Sequence, residues 1–157
     1  MNTLSGENTM KKTPVALTDG LSRLLANTYT LYLKAQNFHW NVTGPHFHSL
    51  HRMFEEIYTS LAEAVDLIAE RIRSLGQKAP ASFSEFSKLA SIHEEIGHPS
   101  ATDMVKRLLE DHEKMIALIA TLFPIAQDTK DEATLDLLIN RTEEHEKTAW
   151  MLRSTLE

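Results

Sequence analysis

Apolar residues recur every three or four positions along four long stretches of this chain. The first runs Leu17, Leu21, Leu24, Thr28, Leu31, Ala35, Phe38. The second runs Leu50, Phe54, Ile57, Leu61, Ala64, Ile68, Ile72, Leu75. The third runs Met104, Leu108, Met115, Leu118, Leu122, Ile125, and the fourth Leu135, Leu138, Thr142, His145, Ala149, Leu152. This spacing puts one apolar stripe on each of four helices. No stretch alternates with period two over a strand's length, so no sheet is expected.

The few glycines and prolines fall between these runs. Gly44-Pro45 allows only a short turn, so the first two helices are expected as antiparallel neighbours, as are the last two. Gly76 to Ser100 is too long for a tight turn, and Ser82-Phe-Ser-Glu85 inside it reads as a capping box opening a short helix through about Ala90. Ser100-Ala-Thr-Asp103 reads as the start of the third long helix, and Pro124 is expected to kink it or loosen its last turn. Helices of roughly 25 residues would be roughly 37 Å long. The expected fold is all-α: a ferritin-like four-helix bundle with a short extra helix in the crossover between helices 2 and 3. Residues 1–16 are expected as a flexible polar tail and 17–157 as the bundle.

Composition narrows the chemistry. In 157 residues there is no cysteine, which excludes disulfides, thiolate metal sites and thiol nucleophiles. The strong ligands left are 8 His and 22 acids. The formal net charge of -6 argues against a dedicated nucleic-acid binder, which normally carries a basic face. Residues 1–12 lack the apolar core of a signal peptide. The most apolar window, 115–126, is too short to span a bilayer. A cytoplasmic protein without a membrane partner is expected.

A di-iron bundle usually builds its site in its own core from Glu residues and Glu-x-x-His pairs. The one such pair here, Glu95…His98, falls beside Gly97 and Pro99 in a loop. The second helix offers another arrangement. His51, Glu55, Asp66 and Glu70 fall within an arc of about 100° on one helix face. Glu55 and Asp66 nevertheless lie about 16 Å apart along the axis, while metal–ligand bonds are roughly 2–2.5 Å. The midpoint of 51 and 70 is also the midpoint of 55 and 66. Two copies of this helix crossing antiparallel about that point would set His51 and Glu55 of one against Glu70 and Asp66 of the other, twice per dimer. Imidazole with carboxylates suits iron(II) and tolerates iron(III). His39, twelve residues before His51 across the Gly44-Pro45 turn, is placed to join them. The simplest alternative is a set of solvated surface acids, with His39-Trp40 as core packing.

Several segments together are distinctive: Asn37-Phe-His-Trp-Asn-Val42, Gly44-Pro-His-Phe-His-Ser-Leu-His51, Phe54-Glu-Glu, Asp66-Leu-Ile-Ala-Glu-Arg71 before Leu75-Gly76, and His145-Glu-Lys-Thr-Ala-Trp-Met-Leu-Arg153. The chain resembles, over roughly Leu17 to Glu157, the Dps family (DNA-binding protein from starved cells), or mini-ferritins. The resemblance implies a ferroxidase of the cytoplasm that oxidises iron(II), with hydrogen peroxide as preferred oxidant. It further implies ferric mineral stored in a twelve-subunit homo-oligomeric shell, protecting against oxidative damage. The implied two-iron centre lies at the two-fold dimer interface. Its ligands would be His39, His51 and Glu55 from one chain and Asp66 and Glu70 from the other. Glu55 stands where the family often has Asp; it keeps the charge and reaches one methylene further. Trp40 would sit close by as packing and as a sacrificial radical trap.

Asp128, Asp131, Glu132 and Asp136 open the fourth helix, where acids also suit the helix dipole. The resemblance implies an acidic funnel at a three-fold axis, with Asp131 and Asp136 as lining. Glu56 and Glu63 are candidates for mineral nucleation. His145 lies on an apolar stripe and reads as a satisfied core histidine; the other histidines show no partner pattern. Some family members coat DNA with basic tails, so an architectural nucleoid protein with a minor iron role is the alternative. Here the tail offers Lys11 and Lys12 against Glu7, so DNA binding is expected to be weak or absent.

Overall fold

The computed structural model describes residues 13–157. The tail expected at residues 1–16 lies, for residues 1–12, outside the described residues; helix α1 begins at Val15. The elements are α1 (Val15–Asn41), α2 (Phe47–Ser74), α3 (Phe83–Leu89), α4 (Ala101–Asp128) and α5 (Glu132–Leu156), with no strand among the described residues. Among the described residues four helices are long and one is short. The four long ones carry the four apolar runs, whose buried members form one continuous core.

Cross-helix contacts fix the directions. Phe54 lies against Phe38, and Tyr58 against Tyr32, so α1 and α2 are antiparallel. Asp111 meets Lys34, and Leu122 meets Gly20, so α4 is antiparallel to α1. Asp131 and Thr134 meet Arg71 while Thr155 meets Met53, so α5 is antiparallel to α2. Hence α2 and α4 are parallel, and residues 75–100 must cross the bundle's length between them, which is the ferritin-like connectivity. At Gly20 a Cβ would run into the end of the Leu122 side chain, so α1 and α4 pack closely there.

The crossover is strapped to α1 by polar side chains. Asn27 Oδ1 accepts from the backbone N–H groups of Ser91 and Ile92 at 2.9 and 2.8 Å. Lys34 Nζ donates to the His93 carbonyl at 2.9 Å, and Asn37 Nδ2 donates to the Glu95 carbonyl at 3.0 Å. These bonds satisfy backbone groups that an extended strap would otherwise leave unpaired. The capping box forms as expected: Ser82 Oγ accepts from Glu85 N–H, and the Glu85 carboxylate accepts from Ala81 N–H. Ser100 Oγ caps α4 by accepting from Asp103 N–H. Pro124 does not end that helix, which runs on to Asp128.

Two α4 positions depart from the apolar pattern. Asp111 and His112, three and four residues beyond Leu108, are buried in the bundle. Asp111 faces the buried Lys34 ammonium at 2.7 Å. Burial of such a pair is tolerable only because each charge has a partner.

Candidate metal centre

His39 lies in the last turn of α1 and His51 near the start of α2, on either side of the Val42–His46 turn. Gly44 there has φ +114°, a backbone conformation glycine adopts without strain. The turn brings the two imidazoles into a near-parallel stack, centroids 3.8 Å apart and planes 15° apart. Each ring is tied to the other residue's backbone: His39 Nδ1 lies 2.7 Å from the His51 carbonyl, and His51 Nδ1 lies 2.6 Å from the His39 carbonyl. A carbonyl only accepts, so both Nδ1 atoms carry the proton. The Nε2 lone pair of each ring is thereby left for a metal. Phe47 stacks on His51, and the edge of Tyr58 meets His39.

Glu55, Asp66 and Glu70 are exposed on α2. Among the described residues no three His, Cys, Asp or Glu side chains of one chain gather closely enough to hold a metal. One chain therefore brings His39 and His51 together, while Glu55, Asp66 and Glu70 do not join them in such a group. The α2 face carrying these acids also exposes Thr59, Ala62, Glu63 and Leu67, and Leu67 is 55% exposed. Thr59 and Ala62 lie near the position-60 midpoint, with the ligating types at the two ends, while Glu63 and Leu67 lie toward one edge of that face.

Other residues singled out from the sequence lie elsewhere. Trp40 is 62% exposed and lines a groove of about 850 Å³ between α1 and the strap. Glu56 is exposed beside Arg52, and Glu63 is exposed. Glu95 pairs with Arg107. Asp131 is the N-cap of α5: its carboxylate accepts from Thr134 N–H at 3.0 Å and pairs with Arg71 at 2.8 Å. Burial alone would raise the Asp131 carboxyl, but the Thr134 bonds and the Arg71 guanidinium outweigh it and hold the group below the usual range. Its oxygens are thus committed to holding the α4–α5 corner against α2. Asp136 is exposed, near Asn140.

The sequence reading found His145 in the core but missed its partner. His145 Nδ1 lies 2.8 Å from His112 Nδ1, and Arg141 approaches His145 Nε2 at 3.3 Å. Arginine can only donate, so His145 Nε2 accepts, His145 Nδ1–H donates to His112 Nδ1, and the proton of His112 sits on Nε2. Burial, helped by Arg141, pushes His112 down to about 3. Burial also takes His145 well below its ordinary value, with His112 and Arg141 adding to it. The pair is neutral and already internally bonded beside a cation, which suits it poorly as a metal site. The signal available in the sequence was positional: His112 stands four residues after Leu108 on a core-facing turn.

Comparison with known proteins follows the same lines. Residues 18–157 match the family model described as a ferritin-like domain. The chain is 42% identical over 136 residues to DNA protection during starvation protein 2 of Bacillus anthracis, covering 87% of this chain and 93% of that one. The structure of a Dps protein from Bacillus brevis superposes with a TM-score of 0.88 at 38% identity, covering 90% of this chain and 95% of that one. A Dps protein from Vibrio cholerae, described as a member of a broad superfamily of ferritin-like diiron-carboxylate proteins, gives 0.87 at 34% identity, with coverage of 90% and 89%.

Proposed function

This chain belongs to the Dps family of ferritin-like proteins, and from that premise we propose that it is a ferroxidase whose centre is completed only between two copies of the chain. Membership brings iron storage and protection as the general role. The finer reading assigns His39, His51 and Glu55 of one chain and Asp66 and Glu70 of its partner as ligands for two iron(II) ions, which are substrate. The observation that carries it is the reciprocal His39–His51 lock, which ties each Nδ1–H to a backbone carbonyl and so directs both rings to offer Nε2 to a metal. Asp66 lies fifteen residues beyond His51 on α2, roughly 22 Å along the axis, which supports a second chain as the counterpart of Asp66 and Glu70.

The residues divide the work by charge. Neutral imidazoles accept iron(II) without much bias toward oxidation state. Three carboxylates favour the higher charge of iron(III), and so ease electron loss. With two iron(II) held together, hydrogen peroxide takes one electron from each and, with two protons, leaves two waters. Glu55 keeps the charge of Asp and reaches one methylene further. Ferric product would collect inside a homo-oligomeric shell, proposed to hold twelve chains, with Glu56 and Glu63 as nucleation carboxylates. Asp136 is the acid left free to line an iron route, since Asp131 caps a helix. No described helix is long and apolar enough to cross a membrane; the proposed location is the cytoplasm.

Subunit mixing tests the split site. A His39→Ala/His51→Ala chain and an Asp66→Ala/Glu70→Ala chain are each expected to lose rapid iron(II) oxidation. Co-assembled from the unfolded state, they restore one intact site per mixed dimer, and activity returns. No recovery in shells shown to be mixed contradicts the reading. DNA binding is expected to be weak or absent near physiological salt, since affinity there depends on Lys and Arg neutralising phosphates. A tight mobility shift at about 0.15 M salt would favour the architectural role instead.

A further inference from the structure

The chain has three tyrosines, and all three stand in one line that starts at a proposed iron ligand. Tyr58 of α2 meets the His39 ring edge-on, centroids 5.2 Å apart and planes 74° apart. Tyr58 meets Tyr32 of α1 at 6.0 Å and 72°. Tyr32 meets Tyr29, one turn back on α1, at 5.7 Å and 71°. Tyr29 stacks on Phe86 of α3 at 5.0 Å and lines the open groove beside the strap. The line therefore runs from the imidazole pair to the surface at α3.

Packing alone does not call for hydroxyls at all three positions. Close by, the core joins the same two helices with Phe38 against Phe54. What separates tyrosine from phenylalanine is that its phenol gives up an electron and a proton at accessible potential. Among the side chains in this line only the tyrosines can do so. Gln36 Nε2 donates to the Tyr32 hydroxyl at 2.9 Å, which leaves the phenol proton free to depart.

Resting on the ferroxidase reading, we propose that Tyr58, Tyr32 and Tyr29 form a radical relay that draws one-electron damage away from the imidazole pair. The need arises when a centre holds a single iron. That iron(II) reduces hydrogen peroxide to iron(III), hydroxide and a hydroxyl radical. The radical takes a hydrogen atom from Tyr58, giving water and the Tyr58 phenoxyl radical. Tyr32 gives an electron to the Tyr58 phenoxyl and Tyr29 gives one to Tyr32, each donor phenol releasing its proton to solvent and each restored phenol taking one up. The radical comes to rest on Tyr29 at the groove. There a small hydrogen-atom donor of the ascorbate class returns Tyr29 to the phenol and carries the radical into solution. The edge-to-face contacts keep each ring in van der Waals reach of the next, so no long jump is needed.

The experiment uses the assembled protein loaded with one iron(II) per centre, then peroxide, with freeze-quenching for electron paramagnetic resonance. Iron(III) formation is followed optically in the same sample, and oxidised residues are mapped by peptide mass spectrometry. The parent is expected to show a tyrosyl signal and oxidation marks at Tyr29. Tyr58→Phe keeps the ring packing and is expected to lose the tyrosyl signal while a spin trap captures more hydroxyl radical. Tyr29→Phe is expected to keep a tyrosyl signal but lose the marks at the groove. Iron(III) formation with an unchanged tyrosyl signal in Tyr58→Phe, or with marks confined to Trp40, overturns the relay and leaves the ferroxidase reading standing. No iron(III) formation in the parent overturns both.

Discussion

The Nδ1 atoms of His39 and His51 are each bonded to the other residue's backbone carbonyl, at 2.7 and 2.6 Å. Each backbone carbonyl thus orients the other residue's ring, and the two rings stack. His39→Ala keeps the carbonyl that holds His51 and removes one ligand and one stacking partner. Iron(II) affinity measured anaerobically by calorimetry is expected to fall by at least the roughly 10- to 100-fold typical of losing an outer-shell partner. The double variant is expected to lose clearly more than either single one, because the ring left in each single variant keeps its carbonyl bond. A double variant no weaker than a single one would show that the two rings hold iron only together.

The buried His112–His145 pair makes stability pH-dependent. Both histidines are depressed in the folded protein, His112 to about 3, against an ordinary value of 6.5. Above pH 6.5 neither state holds the protons and stability is complete. As pH falls below 6.5 the unfolded chain takes them up while the native core does not, and stability is lost down toward pH 3. The expected slope is up to about 1.4 kcal/mol per pH unit for each histidine. Arg141 acts the same way by opposing protonation of both histidines, while Glu144 favours the charge on the guanidinium. Urea unfolding between pH 7 and pH 5 checks this, above the range where most carboxylates titrate. His112→Leu/His145→Leu should flatten the slope, and an unchanged slope would assign it to other groups.

Lys34 ties three parts of the molecule together: α1, the Asp111 carboxylate of α4, and the His93 carbonyl of the strap. Lys34→Met strands a buried carboxylate and is expected to cost about 3–5 kcal/mol. Adding Asp111→Leu removes the stranded charge and should recover much of that loss in a urea titration. The strap should stay loosened in both variants, read as faster amide exchange at Ser91–Glu95. Equal destabilisation of the single and double variants would mean that the ion pair's charge was not the cost.

What the sequence made legible follows from which signals are periodic. The four apolar runs name the long helices because core burial repeats with the helix turn, and Ser82 with Glu85 marks α3 because a capping box is local. The His39–His51 contact could be anticipated because only a five-residue turn separates their helices. Lys34, Asp111, His112 and Arg141 are polar residues at core-facing positions, and an apolar periodicity skips over them. Their partners lie 33 or more residues away in sequence, or, like Arg141 and His145, belong to a cluster closed by such a residue. Asp131 illustrates the opposite error of emphasis. In sequence it is one of several acids at a helix start. In the fold its carboxylate holds Thr134 N–H and Arg71, sixty residues away, so Asp136 is left as the freer acid. The α2 pattern about position 60 is legible as arithmetic but needs a second chain to become a site.

The most direct measurement is anomalous diffraction at the iron edge from crystals soaked anaerobically in iron(II). The account predicts iron between His39 and His51 of one chain and Asp66 and Glu70 of its two-fold mate, with Glu55 at the same centre. Iron held wholly within one bundle, or a two-fold contact along α2 carrying no iron at these residues, would contradict it.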